Sequence, residues 1–148
     1  MKVLGIIPAR YDSSRFPGKP LIDLKGKTMI QRVYEDALNA QKIDTLVVAT
    51  DDARIEAEVL RFGGKVLMTS SAHQSGTDRC AEVLATYPGY DVVINIQGDE
   101  PLVSAQQLDS LLEAFQESTV EIATLVNQQV SSEDLENPNR IKVLENAK

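Results

Sequence analysis

The chain has 148 residues, 43% of them hydrophobic and 25% charged, enough for one buried core and unlike a disordered or fibrous polymer. Its single cysteine excludes an internal disulfide and a cysteine-based zinc site, and a net charge of −7 does not suit a general nucleic-acid binder. No apolar run approaches the roughly 20 residues that span a bilayer, and Pro8 breaks the opening segment too early for a signal sequence, so the expectation is a cytoplasmic protein with no membrane contact.

In chain order, Val3 to Ile7 is a short apolar run stopped by Pro8 and reads as a buried strand. A polar loop follows. A helix is predicted over 28–41, because Ile30, Val33, Tyr34, Ala37 and Leu38 fall on one helical face, with Thr28 and Gln31 spaced as a capping box. Thr45 to Thr50 is the second strand. Asp51 or Asp52 caps a helix carrying Ile55, Val59 and Phe62 that stops at Gly63-Gly64. Lys65 to Thr69 is a third strand, 77–86 a helix with Cys80, Ala81, Val83 and Leu84 inward, and Val92 to Ile96 the most apolar strand, expected at the centre of the sheet. Ser104 with Gln107 starts a helix bearing Leu108, Leu111, Leu112 and Phe115; Ile122 to Val126 and Ile141 to Leu144 read as further strands. This alternation implies one domain over residues 1–148, an α/β fold with a mostly parallel sheet and helices on both faces.

In such a sheet, ligands bind beyond the carboxyl ends of the strands. The loop after the first strand carries Arg10, Arg15 and Lys19 among three prolines, within a segment 10–28 that is basic on an otherwise acidic chain. Residues 1–98 hold 12 basic and 12 acidic side chains, whereas 99–148 hold 3 and 10, so the local cations stand out. Arginine forks and lysine point charges both suit phosphate oxygens. Gly18 allows close backbone approach, and N–H groups near Ser13 and Ser14 could form an anion nest. The bland alternative is a solvated basic loop. The segment lacks Gly-x-Gly-x-x-Gly; Gly26-Lys27-Thr28 imitates the end of a phosphate-binding loop, but Leu21 stands where that motif needs glycine, so Lys27 is read as exposed and Thr28 as a cap.

Two more loops carry chemistry. His73-Gln74-Ser75-Gly76-Thr77-Asp78-Arg79 opens a helix whose N–H groups favour anions and acceptors. Ser75 and Gly76 could offer backbone groups to the edge of a base, while Arg79 could pair with Asp78 or reach a ligand. A lone histidine such as His73 is more often a structural hydrogen-bonder than a catalyst. After Val92 to Ile96 comes Gln97-Gly98-Asp99-Glu100-Pro101. A carboxylate facing phosphate-binding cations makes sense if magnesium lies between, and Asp99 is that candidate, with helix capping as the alternative. Asp51-Asp52 is read as capping and turn chemistry, and Cys80 as inert core filler.

Ile7-Pro8-Ala9-Arg10 through Arg15-x-Pro17-Gly18-Lys19-Pro20-Leu21, His73-x-Ser75-Gly76-Thr77-Asp78-Arg79 and Asn95-x-Gln97-Gly98-Asp99-Glu100-Pro101 together resemble the 3-deoxy-manno-octulosonate cytidylyltransferases, as does Asn137-Pro138-Asn139 before Ile141-Lys142-Val143. The resemblance implies a Rossmann-like three-layer α/β/α nucleotidyltransferase fold and a reaction in which the anomeric hydroxyl of 3-deoxy-D-manno-octulosonate (Kdo) attacks the α-phosphorus of CTP. It implies that Arg10, Arg15 and Lys19 hold the triphosphate, with Ser13 in the same loop. Ala9, Ser75 and Gly76 would read cytosine, with Arg79 nearby; Gln97 would lie near the sugar, and Asp99 would ligate Mg²⁺. Arg10, Lys19 and Asp99 would carry the catalysis. Family members run on past the position of Lys148. The chain therefore reads as the N-terminal part of a longer domain, its sheet incomplete at the C-terminus. The remainder is expected to supply a second metal-binding aspartate, most sugar contacts and much of a homodimer surface, so weak nucleotide binding and slow or no turnover are expected of these residues alone. Two other readings are a different sugar nucleotidylyltransferase, such as an acylneuraminate cytidylyltransferase, and a non-catalytic nucleotide-binding module.

Overall fold

The computed structural model describes residues 1–12, 16–127 and 130–143. Ser13, Ser14 and Arg15 lie outside the described residues, as does Leu144. Four strands, β1 (Val3–Ala9), β2 (Thr45–Thr50), β3 (Val66–Met68) and β4 (Val92–Asn95), form a parallel sheet in the order β3-β2-β1-β4. Among the described residues five α-helices accompany them: α1 (Met29–Leu38), α2 (Ala53–Arg61), α3 (Gly76–Thr86), α4 (Ala105–Glu113) and the short α5 (Ser132–Glu136).

Alternate residues of β1 point to opposite faces, and both faces are covered. Val3, Ile7 and Ala9 pack with Leu46, Val48, Ile94 and Ile96 against Ile30, Val33, Ile55, Val59, Leu108 and Leu112 of α1, α2 and α4. On the other face Leu4 and Ile6 meet Val47, Ala49, Cys80 and Val83, so α3 covers that side. This is the three-layer α/β/α arrangement expected. Ile30, Val33, Ile55 and Val59 are completely buried, each worth about 1.5–3 kcal/mol.

The helix starts follow local chemistry. Asp52 caps α2 by accepting from Arg54 N, and Ser104 and Gln107 form the expected box at α4. At α1 only half of the expected box forms: Thr28 accepts from Gln31 N, but the Gln31 side chain donates to Glu35, and the Thr28 hydroxyl turns to Glu58. Lys27 is exposed and paired with Glu35 at 2.5 Å, in a turn closed by an Asp23–Thr28 bridge. No phosphate-binding loop is formed there.

The structure corrects three expectations. β4 lies at the edge of the described sheet, and β1 and β2 are its interior strands. An apolar run does not set strand order: only Ile94 of β4 is buried, and the partner of β4 is β1, from which it is separated by most of the chain. Ile122–Val126 forms no strand, and neither does the described part of Ile141–Leu144; Ile122 and Ile141 are 90% and 98% exposed. A strand needs a neighbour to complete its hydrogen bonds, and no described residue pairs with either segment. Phe115 sits in a 3₁₀ turn (Ala114–Gln116) that continues α4.

Candidate active site

The carboxyl ends of β1 and β4 and the start of α3 enclose a cavity of about 240 Å³ lined by Pro8, Ala9, Arg10, Lys19, Pro20, Gly76, Gln97, Gly98 and Asp99. Two of the three loops singled out above are thus joined by the parallel register of β1 with β4, and the third enters through Gly76.

Lys19 and Asp99, 80 residues apart, meet at one wall with Nζ–Oδ2 at 2.7 Å. Their side chains are 36% and 51% exposed, so solvent and ligands reach both. An ion pair this open contributes only about 0–1 kcal/mol and can exchange partners. Lys19 opens a 3₁₀ turn (Lys19–Leu21) with Gly18 before it at φ 73. Gly18 is there for the turn: its N–H donates to the Tyr11 carbonyl at 2.8 Å, and a Cβ would lie 3.1 Å from the Tyr11 ring. The Arg54 guanidinium covers the same ring at 3.2 Å. Tyr11 thereby fixes both ends of the basic loop. Gly18 is not among the lining residues, so its expected ligand role gives way to loop closure.

Arg10 lines the cavity with its Nη2 donating to the His73 carbonyl at 2.7 Å. Ala9, the last residue of β1, presents the chain there while its side chain is buried. Gln97 is exposed on the rim, and its side-chain amide donates to Asn95 Oδ1 at a long 3.5 Å, which leaves it weakly held. Gly98 is a second place where only glycine fits: a Cβ would lie 2.9 Å from the Pro8 carbonyl oxygen. The site floor depends on this close approach of two backbones. Pro8, Pro20 and Gly98 were not legible as site residues; the Gly in Gln97-Gly98-Asp99 was the one signal that could have found the last.

Three sequence expectations land differently. Ser75 caps α3, its N–H and hydroxyl both bonded to Asp78 Oδ2, so that N–H is taken and Ser75 does not line the cavity. These bonds hold the Asp78 carboxyl below its usual range, the Ser75 hydroxyl being the larger cause. Arg79 neither pairs with Asp78 nor reaches the cavity. It is completely buried, bonded to Asp51 Oδ2 at 2.9 Å and to the Thr69 hydroxyl, and its Nε has no partner among the described residues. Asp51 is therefore not a cap: Asp52 alone does that work, and Asp51 neutralises a buried cation. Asp99 caps no helix, since Ser104 starts α4.

Cys80 is 6% exposed and burial pushes its thiol up to about 11, which leaves it inert at neutral pH. Among the described residues no helix is long and apolar enough to cross a membrane, and no group of three or more His, Cys, Asp or Glu side chains could hold a metal on its own.

A cationic wall, one reachable carboxylate and a helix start at the strand ends of a three-layer α/β/α sheet define a Rossmann-like nucleotidyltransferase domain. A solved CMP:2-keto-3-deoxy-manno-octonic acid synthetase complexed with CTP is similar over 81% of this chain and 50% of that one, at TM-score 0.78 and 47% identity. The cytidylyltransferase family model matches residues 4–148. The 3-deoxy-manno-octulosonate cytidylyltransferases of Syntrophobacter fumaroxidans and Bacteroides thetaiotaomicron are 53% and 55% identical over 97% and 99% of this chain. The chain belongs to the cytidylyltransferase family. It spans 59% of the length of each of those two relatives.

Proposed function

We propose that these residues form the nucleotide-binding half of an enzyme that transfers CMP from CTP to Kdo, giving CMP-Kdo and pyrophosphate for lipopolysaccharide synthesis in the cytoplasm, with the longer relatives assembling as homodimers. The observation that carries this reading is the meeting of Lys19 and Asp99 on the wall of the cavity that Arg10 also lines. In the reaction the anomeric hydroxyl oxygen of Kdo forms a bond to the α-phosphorus and loses its proton to solvent, while the bond to the bridging oxygen breaks and pyrophosphate departs with that electron pair. Arg10 and Lys19 neutralise triphosphate oxygens, and Gly76 brings the start of α3 to the nucleotide. Ala9 and Gly76 offer backbone groups to the cytosine, Gln97 faces the sugar, and Ser13 and Arg15 complete the phosphate loop. Ser75 and Arg79 act on this site through structure, by capping α3 and bracing its first turn.

Asp99 is the carboxylate that would hold Mg²⁺, and the donor set fits: this ion takes one or two carboxylates and fills its shell with phosphate oxygens and water. When bound, it neutralises charge on the triphosphate. Lys19 would leave Asp99 for a phosphate, an exchange that the openness of the pair permits.

Calorimetric titration with CTP, UTP, ATP and GTP tests the reading, with CTP expected to bind best; preference for a purine nucleotide would overturn it. Pyrophosphate release with CTP, Kdo and Mg²⁺ is expected to be far slower than in a longer relative, and an equal rate would show that the site needs nothing beyond these residues.

A further inference from the structure

We infer that Glu82, outside the cavity, is a positioning residue for Arg10, acting through the loop that carries His73; the inference rests on the proposed nucleotide site. Glu82 lies on α3 beyond its first turn, and its Oε2 accepts two groups from the 69–76 loop: the Ser70 N–H at 3.0 Å and the His73 ring. A carboxylate only accepts, so His73 Nε2 carries the shared proton. Both bonds hold the Glu82 carboxyl below its usual range, the Ser70 N–H being the larger cause, so it stays ionised at neutral pH. The same loop is braced by Ala72 N donating to Ser70 Oγ at 3.1 Å.

What this clasp fixes is the His73 backbone carbonyl, and that carbonyl receives Arg10 Nη2 at 2.7 Å. The guanidinium is thus held by an atom that no side-chain substitution at His73 removes, but whose position depends on the His73 ring and Glu82. His73 and Glu82 side chains are 21% and 37% exposed, and neither lines the cavity. Their role is to fix the aim of a cation that does. Five N–H donors on a planar group reward a fixed orientation toward phosphate more than a point charge would, so loosening the clasp costs affinity without removing any charge from the site.

The experiment has two arms. In the first, nitrogen spectra of the arginine guanidinium groups are recorded on the nucleotide-free chain. Arg10 is expected to show hindered rotation about its Cζ–Nη2 bond in the parent protein and in Glu82→Gln, which keeps an acceptor, and averaged signals in Glu82→Ala and His73→Ala. Unchanged Arg10 signals in both alanine variants overturn the inference, whatever binds in the cavity. In the second arm, CTP affinity is measured for Glu82→Ala, Arg10→Ala and the double variant. Glu82→Ala should weaken binding by roughly three- to tenfold, the worth of a hydrogen bond, and this loss should vanish in the Arg10→Ala background. Additive losses would show that Glu82 acts by another route and overturn the inference. If the parent chain binds no CTP, the functional reading fails while the first arm still decides the positioning role.

Discussion

Two of the cation–carboxylate pairs among the described residues tie the end of one strand to a distant segment of the chain, and they do opposite work. Arg79 and Asp51 join the start of α3 to the end of β2, with the guanidinium completely shielded from water. Lys19 and Asp99 join the loop after β1 to the loop after β4, with both groups open to solvent. The distances, 2.9 and 2.7 Å, are nearly the same; burial separates them. Charges removed from water can part only at great cost, so the Arg79 pair is a fixed brace. Charges in contact with water can trade partners cheaply, so the Lys19 pair can admit a ligand. Of two similar contacts, the weaker is the one suited to chemistry.

The largest effect should come from breaking the brace. Arg79→Ala leaves Asp51 without its cation and removes the donor to Thr69; we expect a loss of about 3–5 kcal/mol in urea unfolding. A loss below about 1 kcal/mol would mean that water reaches this pair, and the contrast with Lys19 would fail. Lys19→Ala should do the reverse. Its stability should stay within about 1 kcal/mol of the parent, while CTP affinity falls roughly tenfold or more, as expected for a charge-assisted hydrogen bond. Equal CTP affinity by calorimetry would take Lys19 out of the site. Asp99→Asn sharpens the comparison further. It should leave the unfolding midpoint in place and remove the Mg²⁺ dependence of CTP binding; if that dependence persists, Asp99 is not the metal's carboxylate.

The sequence displayed the exposed pair better than the buried one. Lys19 and Asp99 were legible because loops after parallel strands converge at one edge, and the strands were recognisable from apolar runs. Most of the α1 face (Ile30, Val33, Tyr34, Ala37) and the Ser104–Gln107 cap were legible because their partners lie within a turn or two of helix, whereas Leu38, Ala81 and Leu84, expected inward, are exposed at the margins of their helical faces. Arg79 was misread for the opposite reason. Its partner Asp51 is 28 residues away, on a strand end that only the folded sheet brings near. The same limit hid Glu82, whose two bonds reach back to a loop. It also misplaced β4, whose apolar run is only partly covered at the sheet edge, because strand order depends on pairing that no local pattern encodes. Gln31 was expected to close the Thr28 cap, but Glu35 one turn on outbid it for the amide.

The smallest expected effect concerns a third pair, intermediate in burial. Glu58 on α2 accepts from Arg61 at 2.7 Å and from the Thr28 hydroxyl at 2.7 Å, which ties α2 to the start of α1. Its side chain is 14% exposed, Arg61's 59%. The Arg61 bond, then the Thr28 bond, hold the Glu58 carboxyl below its ordinary 4.5. A carboxyl that binds protons less readily in the folded chain than in the unfolded one stabilises fully above the unfolded value. That contribution is lost as pH falls through the lower, folded value. Urea midpoints should therefore be level from neutrality down to about pH 5 and decline below it, with several surface carboxyls adding to the slope, since Asp52 and Glu35 are lowered in the same direction by Arg54 and Lys27. Glu58→Gln should flatten part of that decline, by under about 1 kcal/mol because Arg61 remains in water. An unchanged acid slope in Glu58→Gln would place the pair with Lys19 and Asp99, as a contact the fold does not depend on, and burial of one partner alone would then not suffice to make a brace.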